Sequence, residues 1–365
     1  MPAWLPWPPQ GLALVAGACL LDRLVGDPRA WLHPVQVMGW VIGRLRRPAE
    51  AWAGDQPARL RLMGLVITLV LVLGSALAGW SLERLAGRWP LVGVPLLLIG
   101  MASALAGRSL EQAVRRVLRA LPDLGEARSR LAWIVGRQVQ DLDAGGILRA
   151  AAETASENAV DGLFAPLFWM FVGAALVGWP QATPTPWPGP LALAWAFKAA
   201  STLDSMLGYK IGRLRWLGTA GARLDDGLTW GPARLVALTL PLAAGRPDRL
   251  LRWFAAALRQ GAADPSPNAG VSQAAYAMAA QVRLGGVNRY ADGAKVKPVL
   301  AGFAPPPDQA AIDLILRLTL RLEVLWLLLA ALVLPAPGIA PMGIAPVGMA
   351  VLGLAGLGLL QGVRW

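Results

Sequence analysis

Long apolar runs separated by arginine-rich stretches dominate this chain. Residues 62–80, 89–107, 163–179, 314–334 and 342–362 each approach the ~20 residues that a helix needs to cross a bilayer. Residues 5–21 and 190–203 are weaker runs of the same kind. The pattern predicts an all-α fold, a polytopic integral membrane protein with about seven spans. Residues 230–245 are apolar but short, and they hold Pro232, Arg234 and Pro241, so a re-entrant or interfacial helix is expected there. Between the runs the period is that of amphipathic helices. Leu110, Ala113, Val114, Val117, Leu118 and Leu121 form one stripe, with Arg115, Arg116 and Arg119 opposite. Val271, Ala274, Ala275, Met278, Ala279 and Val282 form another, with Gly285 as its expected stop. Alternating strand patterns are almost absent. Neither a fixed-period repeat nor a dividing linker emerges, so residues 1–365 read as a single membrane-embedded domain.

Composition agrees, and charge orients the chain. Hydrophobic residues make up 56% and charged residues 15%, where a soluble domain is nearer roughly a quarter charged. The net charge of +12 raises nucleic-acid binding as a reading. The arginines, however, cluster between the apolar runs, as the positive-inside rule predicts, so no nucleic-acid partner is expected. The expected cytoplasmic polar regions are 22–61, 108–162, 204–229 and 246–313, with a short loop at 81–88 and the Pro-rich connector 180–190 outside. This places the chain in the inner (cytoplasmic) membrane with its site facing the cytoplasm. Cys19 and His33 are each the sole residue of their type, which excludes an internal disulfide, a thiolate metal cluster and a multi-His zinc site. No Lys or Arg precedes Arg23, so the first segment is expected to be a retained span.

The remaining polar residues gather in five clusters. In D-R-L-V-G-D-P (22–28), Asp27 sits in a turn that Pro28 enforces, and His33 follows before Pro34. Both suit a structural hydrogen-bonding role as well as a ligand. In E-T-A-S-E-N-A-V-D (153–161), a helix would place Glu153, Glu157 and Asp161 on one stripe at the mouth of a span, with about 6 Å of rise between neighbours. Ionisable groups at that depth are costly and usually mark a site. Two such carboxylates could share a magnesium ion carrying phosphate; a solvated face paired with Arg149 is the plainer account. In K-A-A-S-T-L-D-S-M-L-G-Y-K (198–210), snorkelling explains Lys198 and Lys210 but not Asp204. In A-R-L-D-D-G (222–227), Asp225 and Asp226 are expected to converge from a turn on metal or substrate. The fifth cluster, D-P-S-P-N-A-G (264–270) with R-L-G-G-V-N-R-Y (283–290), flanks an amphipathic helix. Asn268 and Ser272 are natural caps there, and the helix start is also an anion site. Neither a phosphate loop nor a dinucleotide fingerprint is present.

Taken in order, these segments resemble the CobD/CbiB membrane proteins of cobalamin biosynthesis, the adenosylcobinamide-phosphate (cobinamide) synthases. The resemblance is carried by D-R-L-V-G-D-P…H-P-V (22–35), I-V-G-R…E-T-A-S-E-N-A-V-D-G-L-F-A-P-L-F (134–168), the 198–210 run, A-R-L-D-D-G…P-A-R-L (222–235), S-P-N-A-G (266–270), R-L-G-G-V-N-R-Y (283–290) and K-P-V-L (297–300). The stretch A-D-G-A-K-V before Pro298 departs from a more acidic form in relatives. The resemblance implies amide ligation of aminopropanol or its phosphate to a side-chain carboxylate of adenosylcobyric acid, with ATP and magnesium. Glu153, Glu157, Asp161, Asp225 and Asp226 are then the catalytic candidates, and all of them but Asp161 the magnesium-holding ones. Arg137, Lys210, Arg223 and Arg283 are candidates for phosphates, with Asp27, His33, Asn158, Asp204, Asn268 and Asn288 as further substrate contacts. The expected partners are the lipid bilayer and other membrane enzymes of cobalamin assembly. A non-enzymatic membrane sensor or regulator on the same scaffold is the alternative. An alcohol phosphotransferase is disfavoured because D-G-L-T-W-G-P-A-R (226–234) has the wrong spacing, and a transporter because no inverted halves are visible.

Overall fold

Helices account for most of the computed structural model, which describes residues 11–27, 32–178, 187–290 and 293–334. In chain order they are α1 (Gly11–Val25), α2 (Pro34–Ala53), α3 (Pro57–Arg88), α4 (Pro90–Ala102), α5 (Gly107–Ala120), α6 (Leu124–Ala132), α7 (Ala144–Ala159), α8 (Ala165–Gly178), α9 (Pro190–Leu207), α10 (Leu214–Leu217), α11 (Thr219–Ala243), α12 (Leu250–Gly261), α13 (Ala269–Ala280) and α14 (Gln309–Val333). Four of them open on proline, whose missing N–H costs nothing in a first turn. Among the described residues, three stretches are long and apolar enough to cross a membrane: Pro57–Arg88, Pro90–Ala120 and Ala144–Val177. The weaker runs at 5–21 and 190–203, and the run at 314–334, largely coincide with α1, α9 and α14. The run at 342–362 lies outside the described residues, as does most of the 180–190 connector.

Several expectations need correction. The fold is mostly helical, as expected, but it also holds a hairpin, in which β1 (Leu284–Tyr290) and β2 (Gly293–Leu300) pair antiparallel, Leu284 opposite Leu300 and Val287 opposite Val296. Gly285 therefore stops no helix. It sits in β1 at φ +85°, where the register slips by a bulge, and α13 instead ends at Gln281 in the left-handed conformation. The proposed loop at 81–88 is the last two turns of α3. Residues 230–245 form no separate short helix, since most of them continue α11, and Asp225 and Asp226 lie within that helix rather than on a turn.

The chain divides into two compact units, one from 1–105, 165–228 and 327–365, the other from 106–164 and 229–326. In the first unit α3 is the central helix, packed on α2, α4, α9 and α10. Its two faces explain its place. Leu62, Leu65, Val66, Leu69, Val70, Leu73 and Leu77 form an exposed apolar stripe suited to lipid. Leu60, Gly64, Ile67, Thr68, Leu71, Ser75, Gly79, Glu83 and Ala86 are buried on the other side. The small residues permit close backbone approach, and a Cβ on Gly79 would stand 2.8 Å from Ala192 Cα. Glu83 accepts hydrogen bonds from the N–H groups of Gly189 (2.9 Å), Leu191 (2.7 Å) and Ala192 (3.1 Å). A carboxylate on α3 thus satisfies the unpaired donors at the start of α9.

In the second unit α7 packs on α5, α6, α13 and β1, and the hairpin also rests on α12 and α13. The burial of Leu110, Val114, Val117 and Leu118 bears out the amphipathic reading of α5. Gly261 and Gly270 bring α12 and α13 together, since a Cβ on Gly261 would meet the backbone of Val271.

Candidate functional site

The second unit gathers polar groups from several separate stretches around α7. Glu153 and Glu157 lie one turn apart, yet their surroundings differ. Glu153 Oε2 pairs with Arg137 Nη2 at 2.6 Å, with both side chains 7% exposed or less. Its Oε1 accepts the N–H of Gly285 at 2.9 Å. Arg137 also donates to Asn288 Oδ1. Arg149, one turn before Glu153, donates to the carbonyls of Gly285 (3.1 Å) and Val287 (3.0 Å). Side chains of α7 thereby hydrogen-bond the backbone of β1 at Gly285 and Val287, and Arg137, from the loop before α7, bonds the side chain of Asn288. The hairpin is held to the helix by charge-assisted bonds rather than by a third strand.

Glu157 faces other partners. Its Oε2 accepts from Gln273 Nε2 on α13 at 2.7 Å, and it feels the charges of Lys297, Asp264 and Glu153. Lys297 on β2 sits 3.3 Å from Asp264 Oδ2, and the other Asp264 oxygen accepts the N–H of Ser266 at 2.9 Å. Asp264 is 2% exposed, so the pair is desolvated on the acid side. A buried carboxylate, a lysine and a part-buried carboxylate thus cluster with a side-chain amide whose carbonyl oxygen, Gln273 Oε1, is buried without a hydrogen-bond partner. At the start of α13, Asn268 accepts from Arg234 at 2.6 Å instead of capping its own helix, while Arg234 also donates to the carbonyl of Pro267.

The acidic stripe is shorter than its sequence spacing. Glu153 and Glu157 belong to α7, but Asp161 falls in a π-helical turn, Val160–Phe164, whose wider winding changes the helical phase. Such turns recur at functional sites. Asn158 donates to Thr154, which in turn donates to the carbonyl of Ile134. Arg283 is exposed, and its backbone N–H bonds Pro305.

Arg137, Glu153, Glu157, Asn158, Asp161, Asn268, Arg283 and Asn288 therefore belong to the second unit, and Asp27, His33, Asp204, Lys210, Arg223, Asp225 and Asp226 to the first. His33 caps α2, its Nδ1 accepting the N–H of Val35 at 3.3 Å and its Nε2 lying 3.2 Å from Asp27. Sequence reasoning gave no role to Asp264, Gln273 or Lys297. Asp264 and Lys297 each precede a proline inside a motif that had been singled out, which is the signal that marked them. Gln273 lies on a helix face that reads as apolar and carried no such mark. Among the described residues no three His, Cys, Asp or Glu side chains converge as a cation cage. With both oxygens of Glu153 engaged, the expected magnesium set does not fit as a protein-only site.

A membrane-associated helical chain with a mixed acid, amide and lysine cluster matches one family over most of its length. Residues 15–319 fit the family model described as CobD/Cbib protein, and the chain belongs to that family. It is 39% identical over 329 residues to the "Cobalamin biosynthesis protein CobD" of Synechocystis sp., covering 89% of this chain and 92% of the relative. It is 40% identical over 280 residues to the "Cobalamin biosynthesis protein CbiB" of Salmonella choleraesuis, covering 75% and 82%. The Citrobacter koseri protein named CobD is 39% identical over 281 residues, with the same coverage. No solved structure matches.

Proposed function

We propose that this chain acts in cobalamin biosynthesis as an amide-forming ligase, joining aminopropanol or aminopropanol phosphate to a carboxylate of adenosylcobyric acid. The observation that carries the reading is the cluster around Glu157, where Gln273, Glu153, Asp264 and Lys297 come together from α7, α13, β2 and the loop before α13. Joining a carboxylate to an amine in water needs activation. Transfer of the γ-phosphoryl of ATP to the corrinoid carboxylate, with loss of ADP, gives an acyl phosphate. The amine nitrogen then attacks the carbonyl carbon, the C–N bond forms, the C–O bond to phosphate breaks, and a proton leaves the nitrogen.

In this reading Glu157 takes that proton, held toward its task by Gln273. Lys297 offers its ammonium to the developing negative charge, oriented by Asp264. Arg137 and Glu153 position the hairpin that carries Lys297. Magnesium would arrive on the substrate phosphates, since it commonly uses only one or two protein carboxylates. We place the protein in the inner membrane with about seven crossings and the cluster on the cytoplasmic side, beside other membrane enzymes of the same pathway.

The test supplies membranes containing the protein with adenosylcobyric acid, magnesium-ATP and each amine in turn, and reads product mass. Glu157→Gln is expected to lower product formation by about 10²–10⁴-fold while leaving a folded protein. A wild-type protein that forms no amide with either amine would favour the membrane regulator instead.

A further inference from the structure

We propose that the first unit carries a binding site for a phosphate-bearing anion, a phosphomonoester or polyphosphate, in a basic hollow of about 440 Å³. Arg61, Lys210, Arg215 and Arg223 line it together with Tyr209 and Trp216. Lys210 and Arg223 come from motifs already singled out, whereas nothing in the sequence marked Arg61 or Arg215.

Two glycines build the hollow. A Cβ at Gly64 would overlap the carbonyl of Leu217, and one at Gly218 would overlap the carbonyl of Leu207. Their absence lets α10 wedge closely against α3 and α9. This brings Arg61, near the start of α3, to the same indole as Arg215 of α10. The two guanidinium carbons lie 4.5 and 5.0 Å from the Trp216 ring centre. Two like charges are thus held on a single aromatic ring. Among the described residues neither pairs with a carboxylate, and no acid lines the hollow.

Cation–π contact fixes a guanidinium in place but leaves its N–H edges unused. Those edges match phosphate oxygens bidentately, and an entering anion relieves the repulsion between the two arginines. Snorkelling accounts for arginines at the rim of a span, but not for two of them sharing one ring in the wall of a recess. Four cations suit a ligand of at least two negative charges better than a lone carboxylate. The source of the phosphate is either a soluble molecule or an acidic phospholipid headgroup. The site deepens the ligase reading, which already offers Lys210 and Arg223 to phosphates, and it involves none of the acids in the second unit; its test reads binding rather than amide formation, so either can fail without the other.

The experiment uses the full chain in nanodiscs at fixed ionic strength, with labelled tripolyphosphate followed by equilibrium dialysis. In phosphatidylcholine discs saturable binding is expected, weakened about tenfold or more by Arg61→Gln combined with Arg215→Gln, and also by Lys210→Glu at the exposed rim. In discs containing phosphatidylglycerol, displacement of tripolyphosphate, with that lipid co-purifying with wild type and not with the double variant, would identify a headgroup as the source. Equal tripolyphosphate binding and equal lipid retention by wild type and both variants would overturn the site. Because Lys210→Glu alters an exposed residue, its result stands even where the arginine pair proves necessary for folding.

Discussion

Glu153 and Glu157 show how one helix can give the same side chain two occupations a turn apart. Glu153 is almost fully enclosed, with Arg137 on one oxygen and the Gly285 N–H on the other. Removing it strands a buried guanidinium, and Glu153→Ala is expected to destabilise the protein by about 3–5 kcal/mol, read as a lower unfolding midpoint in detergent. Glu157 is tied by a single amide contact to α13. Glu157→Gln keeps the side chain's shape and an oxygen to accept from Gln273, so it should lower that midpoint less than Glu153→Ala does, while lowering product formation by about 10²–10⁴-fold. Equal destabilisation by the two changes would reduce Glu157 to a structural group. Gly285→Ala should also be costly, because the backbone there is left-handed and the new methyl would strike the carbonyl of Pro298. The expected sign is loss of stability together with loss of activity, since Lys297 lies on the paired strand.

Elements were unevenly legible. The apolar stripe and the small-residue face of α3 are written in its sequence at helical spacing, and so is the amphipathic face of α5. The β hairpin was not, because β1 opens on paired glycines and is held largely by α7 side chains, so no alternation was needed to make the strands pair. Asp225 and Asp226 looked like a turn because two adjacent acids and a glycine usually break helices, yet α11 runs through them. Glu83 falls in a stretch whose sequence reads as an external loop, whereas it lies within α3. Its three backbone partners make a firm prediction: Glu83→Ala should cost about 1–3 kcal/mol for each buried donor left unsatisfied, and loosen the start of α9 first. Hydrogen exchange at residues 191–193 would read that loosening, and unchanged protection there would refute the capping role.

For the whole molecule, hydropathy located the helices that can enter a bilayer, and the motif order located the family. The division into two units was not visible, because each is assembled from stretches far apart in the chain and no polar linker separates them. It also sorts the expected acids, with Glu153 and Glu157 in one unit and Asp225 and Asp226 in the other. Orientation can be tested simply. Cys19 is the sole cysteine and is buried, so the natural chain is a quiet background for labelling. Trp187→Cys and Asp248→Cys introduce thiols at exposed positions, where the Trp187 residue is 52% accessible and the Asp248 side chain 58%. An impermeant maleimide added to intact cells is expected to modify the first and not the second. The opposite pattern would invert the assigned sidedness.

The carboxylate of Glu83 is translated 106 residues ahead of Gly189, the first of the amides it serves. At ribosomal speeds of about 5–20 residues per second, it waits for roughly 5–20 s without its eventual companions. During that interval only water or lipid headgroups can solvate it, so the nascent segment should ride shallow, with its trailing end at the bilayer surface. Arrival of the later segment would then draw it to final depth. Membrane integration of this protein is therefore expected to be a two-stroke event, and a nascent chain halted before residue 189 should leave position 83 open to aqueous reagents.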